Sequence, residues 1–527
     1  RDEYWKYTRP DTLTQPQAVS AAVRASEDVA LFDQIDRLKL VFVDGVFDAD
    51  ASDDLALEGI TIERLAQADA DLHWARDLYG TLEKNGQTPV ARPLAALNTA
   101  FAADGVLIHV TDKVSKPVNI VYRRTSETAD VMLHHVVKLD AGAEFTLLEN
   151  GPVAARFNGV LEVEVADNAS FHHVRAQGRD HEQRAATHIF TRLGTESAFK
   201  SFTLTANGVM TRNDCVIELT GDDAAAHVAG ACVGDGADFH HDDTVFITHD
   251  AVNCESRQVF KKVLRNGATG VFQGKILVKA DAQKTDGYQI SQSLLLDDDS
   301  QFLAKPELEI YADDVACSHG STSGAIDEDA LFYLRSRGVP HNVATDLLTL
   351  SFLAEAVEEI EDETLREEIT ARLAAWLERH AAVVRRLLGQ GPREDRNLVY
   401  LMVACLIFFV AQTPRLAREA HVNGTELDML LGATLLAWLF IAPLIFYMLA
   451  AGTQIILRVM RGRPSGYSTR LALFWALLAS SPLVLLHGLT AGFVGEGIEL
   501  RIVGLVWLCV FLWFWISGLL VAYRTRS

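Results

Sequence analysis

Cys317 and His319 stand two residues apart in the stretch Asp313–Gly320, DDVACSHG. In an extended chain alternate side chains share a face, so this thiol and imidazole would lie side by side. A thiolate can accept sulfur, and a thiolate and a neutral imidazole can both ligate soft iron. The same pair also suits a small buried cysteine beside a hydrogen-bonded turn histidine, and spacing alone does not choose. Asp313-Asp314 fits either an orienting role or a turn. Three other histidine groups are present: His134-His135, His172-His173, and His240-His241-Asp242-Asp243 with His249. Adjacent residues of a strand point to opposite faces, so each pair offers one ligand per face and structural roles are favoured. Val271–Ile276, VFQGKI, looks faintly like a phosphate-binding loop. Thr269 stands where its first glycine belongs and Ile276 replaces the Ser/Thr, so no nucleotide is expected on this chain. The six cysteines, Cys215, Cys232, Cys254, Cys317, Cys405 and Cys509, include no C-x-x-C pair. They form neither a disulfide framework nor a zinc or ferredoxin ligand set, which favours a reducing, cytoplasmic setting for the charged part of the chain.

The elements that must hold these residues change along the chain. Leu38–Phe47, LKLVFVDGVF, reads as two short strands around a turn at Asp44-Gly45. Residues 1–104 mix helical and loop patterns, an N-terminal α/β region. From 105 to 326, Val-, Ile-, Thr- and Phe-rich stretches recur between Gly, Asp and Asn. A loose repeat sets a turn residue and an alanine before an aromatic: Gly142-Ala143-Glu144-Phe145, Asn168-Ala169-Ser170-Phe171, Ser197-Ala198-Phe199 and Gly236-Ala237-Asp238-Phe239. Short strands repeating at this interval fit a parallel β-helix, in which small residues turn the corners and alternate residues fill the interior. A β-sandwich fits them too. Residues 327–380 turn helical, with Leu347, Leu350, Ala354, Val357 and Ile360, then Leu365, Ile369, Leu373, Trp376 and Leu377, at helical spacing. The acidic run Glu355–Glu363 reads as a solvated face.

A linker is expected at 381–396, where Gly389, Gly391 and Pro392 cluster, and a transmembrane domain at 397–527. Four apolar runs follow: Asn397–Thr413, Met429–Leu457, Leu471–Phe493 and Ile502–Tyr523. A span takes about 20 apolar residues, so the first run is short and the second must tilt, break near Pro443 or project. Arg385, Arg386, Arg393, Arg396, Arg458, Arg461, Arg463, Arg470, Arg524 and Arg526 would lie on one side, against Arg415, Arg418 and Arg501 on the other. The positive-inside rule then places both termini and the charged region in the cytoplasm, on the inner (cytoplasmic) membrane with lipids as partners. Arg1–Pro10 lacks the apolar core of a signal peptide. The net charge of −22 argues against nucleic acid.

The stretch Asn253–Pro340 holds NCESRQVFKKVLRNGATGVFQGKILVKADAQKTDGYQISQSLLL, KPELEIYADDVACSHGSTSG and LFYLRSRG. With the opening Glu3–Thr8, EYWKYT, it resembles the SufB/SufD family of iron–sulfur cluster assembly proteins, SufD in particular, over about residues 1–380. The resemblance implies a right-handed parallel β-helix with N-terminal α/β and C-terminal helical parts. It implies a non-catalytic scaffold subunit acting with a SufB-like subunit and a SufC-like ATPase, the latter docking on the helical segment. It further implies that His319 faces a cysteine of the SufB-like subunit and serves as a metal ligand where a nascent iron–sulfur cluster, shared between the two, is built, with Cys317 at the same interface. Residues 381–523 resemble the bacterial Yip-one family of small membrane proteins, through stretches such as Leu436–Tyr447 and Leu471–Gly488. The competing readings are a polysaccharide-active β-helix enzyme and a membrane-organising adaptor without cluster chemistry.

Overall fold

A computed structural model describes residues 3–23, 31–68, 74–177, 182–337, 339, 341–377, 394–423, 426–459, 466–493 and 497–524. These fall into two compact units, one reaching Leu377 and one carrying the helices after it. The expected linker lies almost wholly outside the described residues.

The first unit is a parallel β-solenoid. From residue 106 onward successive strands go alternately to a ten-stranded and a nine-stranded sheet, and neighbours within each sheet run parallel. Each coil therefore lays one strand in each wall. Phe145, Phe171 and Phe199 sit in register and stack at 6.0 and 5.7 Å, so the recurring aromatics form an interior ladder. Asn168, Glu196, Asp223, Asn253 and Lys284 all take positive φ, marking one corner of successive coils. At this position a short polar side chain or glycine is least strained. Gly236 also turns with positive φ, but it leads into His240–His249 of the nine-stranded sheet. The fourth copy of the sequence repeat thus belongs to a different corner, which explains its irregular spacing.

Leu38–Val43 and Val46–Phe47 do form a hairpin, turned by Asp44 and Gly45 with φ of 49° and 82°. Leu38–Val43 also pairs parallel with Val118–Arg123, so this part of the N-terminal region extends the solenoid wall. N-terminal helices cover the outer face of the nine-stranded sheet, packing Ala75, Leu78, Leu82 and Ala95 on Leu107, Val136, Val160 and Phe190. The helices His341–Val357 and Glu363–Leu377 cover the other wall, burying Leu353, Ala356, Val357, Ile360, Leu365, Ile369 and Leu373 against Phe202, Leu204, Ala229 and Val259.

Two details depart from the sequence reading. Leu347 is exposed, whereas Thr345 and Thr349 are buried, because each hydroxyl donates to the carbonyl four residues back and hides its polarity. The acidic run is not simply a solvated face. Glu355 pairs with Lys261, Glu359 with Arg257 and His227, and Glu361 with Lys200, fastening the helices to the sheet at the rim of their apolar contact.

The second unit is helical. Glu394–Asn423 runs through Pro414, longer than its apolar run. Leu427–Leu436 and Ala442–Val459 join through a π-helical turn at Ala437–Ile441. That turn precedes Pro443 and absorbs its missing donor and ring without a break. Gly466–Ala479 and Ser481–Phe493 form a pair bent by 44°. Among the described residues three helices are long and apolar enough to cross a membrane, Leu398–His421, Leu427–Gln454 and Glu499–Leu519, or four spans if the bent pair is one. Leu473, Phe474 and Leu477 are buried at the centre, while Phe440, Leu444, Met448, Ile502 and Leu505 face outward. Gly488 and Gly492 pack against the backbone of Ala411 and Pro414, where no Cβ would fit. This is the small-residue packing by which apolar helices associate in lipid.

Candidate functional site

The solenoid ends at two strands, Gln301–Ile310 in the nine-stranded sheet and Val315–Gly324 in the ten-stranded sheet. Val315–Gly324 pairs on one side with Thr285–Leu295, and among the described residues nothing pairs with its other edge. Such an edge offers unpaired N–H and C=O groups to a further strand.

The register settles which way its side chains face. Cys317, His319, Ser321 and Ser323 lie opposite Gly287, Gln289, Ser291 and Ser293, on the face turned toward the second wall. Ser291 and Ser293 donate to Ser321 and Ser323 at 3.1 and 2.8 Å, which fixes this face, and Gln289 donates to Gln258 one coil deeper. Cys317 and His319 thus share a face. Their environments differ. Cys317 is half-buried against Ile276, Val278, Ala282, Ala312 and Leu308. A Cβ at Gly287 would come within 3.1 Å of its Sγ, so glycine there makes room for the sulfur. Burial pushes the Cys317 thiol up and the Asp286 carboxylate adds to it. At neutral pH it is a thiol, the poorer nucleophile. His319 is exposed at the end of the solenoid. Asp314 does not orient the pair through its backbone N–H: that group donates to Gln283 Oε1 at 3.0 Å, within the corner.

Deeper in the lumen the histidines are accounted for by hydrogen bonds. His134 and His135 face opposite ways, as their adjacency requires. His134 stands 2.8 Å from Glu162 and stacks on Tyr79, outside the lumen. His135 accepts from the Val106 N–H at Nδ1, so its proton is on Nε2, aimed at the Tyr122 oxygen 3.0 Å away. Tyr122 donates to Glu149 at 2.7 Å, and Glu149 also accepts from Arg175 and His173 at 2.6 and 2.9 Å. Burial acts to raise the Glu149 carboxyl, but the Arg175 guanidinium and the His173 hydrogen bond outweigh it and hold it well below the usual range. Burial pushes His135 and His172 down to about 4, His241 to about 3 and His249 to about 4. Lys262 stands 2.7 Å from His241 Nδ1 and pairs with Asp243, which also accepts from Asn213. Among the described residues no three His, Cys, Asp or Glu side chains converge to hold a metal ion. Thr269–Val278, with the VFQGKI text, is a strand and not a phosphate loop, and its Lys275 pairs with Glu309.

One feature of the outer surface was not legible as a unit. Arg212, buried beneath Trp5 with its guanidinium 4.1 Å from the ring centroid, joins Asp214 and Asp242. Its signal in the sequence was a charged residue inside a strand-like run, with nothing to say that the aromatic opening would cover it.

The first unit is thus a two-walled parallel β-solenoid with helices on both outer faces and an open terminal edge. Residues 122–352 match the family model of the SufBD core domain of the SUF system of iron–sulfur cluster assembly. The chain is 31% identical over 399 residues to the iron–sulfur cluster assembly protein SufD of Escherichia coli, covering 72% of this chain and 88% of that one. It is 27% identical over 395 residues to a SufBD family protein of Synechocystis, covering 68% and 83%, and 28% identical over 299 residues to SufD of Bacillus subtilis, covering 55% and 68%. The chain belongs to the SufB/SufD family of iron–sulfur cluster assembly proteins.

Proposed function

We propose that this chain is a SufD-like scaffold subunit that works with a SufB-like subunit and a SufC-like ATPase, and that its second unit tethers the assembly to a membrane. The observation that carries this reading is the exposed His319 on the edge strand Val315–Gly324. A partner strand added at that edge would bring a second donor set to the imidazole. A complete cluster takes four ligands, and a site shared across subunits answers the shortage on this chain. The cluster is cargo, built there and passed on. His319 supplies a nitrogen ligand. Cys317 supports the wall beside it. The chain itself performs no catalysis and binds no nucleotide; the ATPase would dock on the helical segment beyond the solenoid.

The test is His319→Ala in the reconstituted complex, with cluster transfer to an apo-acceptor as the readout and complex size as the control. Transfer should fall tenfold or more with the complex intact. Transfer at the normal rate removes His319 from the site. For the tether, four spans with both termini in the cytoplasm follow from the arginine distribution. A reporter fused after Ser527 should be active inside the cell, and activity outside alone would overturn the topology.

A further inference from the structure

The N-terminal aromatic segment crosses the outer face of the nine-stranded sheet and is fastened to four successive strands. Thr8 donates to Asp242 and lies 2.9 Å from His240 Nε2, both on His240–His249. Trp5 stacks on Arg212 of Met210–Leu219. The Tyr4 carbonyl accepts from Arg212 and, at 3.0 Å, from Gln273 of Thr269–Val278. The Tyr4 hydroxyl donates to Glu307 at 2.8 Å, and the Lys305 ammonium sits 4.0 Å from the centre of its ring. Lys305 and Glu307 belong to Gln301–Ile310, the last strand of this wall.

That last strand needs such help. Its side chains are only partly buried, it has a neighbour on one side alone among the described residues, and Pro306 within it has no N–H to give. The segment in turn covers buried charge. Arg212, Asp214 and Asp242 are nearly inaccessible, and a carbonyl, a hydroxyl and an aromatic face from the strap complete their contacts. Burying such a cluster is tolerable only when its hydrogen-bonding capacity is filled.

We infer that residues Tyr4–Thr8 are a positioning strap: they hold Gln301–Ile310 in place and so keep the open end in the shape that receives the partner subunit. The second half rests on the function proposed above; the first rests on the fold alone. The strap residues touch no reacting atom and act through the wall facing Cys317 and His319.

The experiment uses the full chain in detergent with residues 1–9 deleted, reading amide exchange and capture of a purified SufB-like subunit. Exchange across 301–310 should accelerate tenfold or more while helix 341–357 keeps its rate, and capture should weaken about tenfold. A peptide of residues 3–14 added in trans should restore both. Tyr4→Phe, which removes only the hydroxyl on Glu307, should accelerate exchange two- to fivefold around 305–309 and guards against a deletion that fails to fold. Unchanged exchange at 301–310 in both variants overturns the strap. Faster exchange with undiminished capture overturns its positioning role. If the intact chain captures no SufB-like subunit, the proposed function fails, and the exchange data still decide the strap. His319→Ala should leave exchange at 301–310 unaltered, which separates the two ideas again.

Discussion

His173 and His319 occupy the same inward column of the ten-stranded sheet. Register carries the column from His173 through Ser201, Val228, Gln258 and Gln289 to His319. His173 is wholly buried, with one ring nitrogen on Ser201 and the other on Glu149. His319 is exposed because, among the described residues, no further coil covers it. One residue type in one column is enclosed in the middle of the stack and open to solvent at its end. Position along the solenoid, rather than the identity of the side chain, decides its exposure.

The largest test of that contrast is acid. His135, His172, His241 and His249 have folded pKa values below the usual 6.5, about 4 for His135, His172 and His249 and about 3 for His241. A group so depressed contributes stability that is present above its unfolded pKa and is lost as pH falls through the folded one. The window therefore runs from about 6.5 down to about 4, because the unfolded chain takes up protons first. Each such histidine removes about 1.4 kcal/mol per pH unit inside that window. With His135, His172, His241 and His249 all shifted, urea stability of the solenoid unit should drop by several kcal/mol, on the order of 8, between pH 7 and pH 5. His319→Ala should leave this slope intact and change stability by less than about 0.5 kcal/mol. A flat profile, or a slope reduced by His319→Ala, would erase the distinction between middle and end.

A single substitution sharpens the same point. Glu149→Gln leaves Arg175 buried without its counter-charge and disturbs His173 and Tyr122 together. Breaking one side of a buried pair costs about 3–5 kcal/mol. Equilibrium denaturation should show that loss at pH 7. A change under 1 kcal/mol would mean that water already screens Arg175.

The second unit reverses the burial pattern of the first: it buries few charges and turns large apolar side chains outward. Its tight spot is Gly488, where an added Cβ meets the Ala411 carbonyl. Gly488→Ala should force the two helices apart and destabilise the unit by about 1–3 kcal/mol, with the solenoid unaffected. Thermal unfolding in detergent, read by a label on each unit, checks this. Equal destabilisation of both units would contradict their separate cores.

Much of this was legible beforehand, and for identifiable reasons. The phenylalanine and alanine repeat exposed the solenoid because small residues turn corners and aromatics stack in the lumen. The apolar runs exposed the helices of the second unit because length and composition alone define them. The corner of the fourth repeat was misplaced, since Gly236 turns the chain as Gly142 does but into the other wall. The stripe of Leu350, Val357 and Ile360 does pack on the sheet, but Leu347 is exposed and Thr345 and Thr349 are buried, since the two threonines look polar in sequence and satisfy themselves locally. The acidic run looked solvated because its partners Lys200, Arg257 and Lys261 lie about 100 or more residues away in the chain. Cys317 and His319 were paired by spacing. What spacing could not give was their difference in exposure, which depends on their place on the edge strand of the stack.

Cys317 is the smallest and most discriminating test. It lies on the same strand and face as His319, yet packs against Ile276 and Leu308, and burial keeps it a thiol. If it only fills space, Cys317→Ala removes one half-buried sulfur and costs about 1 kcal/mol or less. Cluster transfer should then stay within twofold of normal. Cys317→Ser should cost slightly more stability, since its hydroxyl meets the same apolar wall. Should transfer collapse in Cys317→Ala while the subunits still assemble, the thiol receives sulfur or iron. Both residues of the pair would then be chemical, and burial at the end of the stack would no longer separate them.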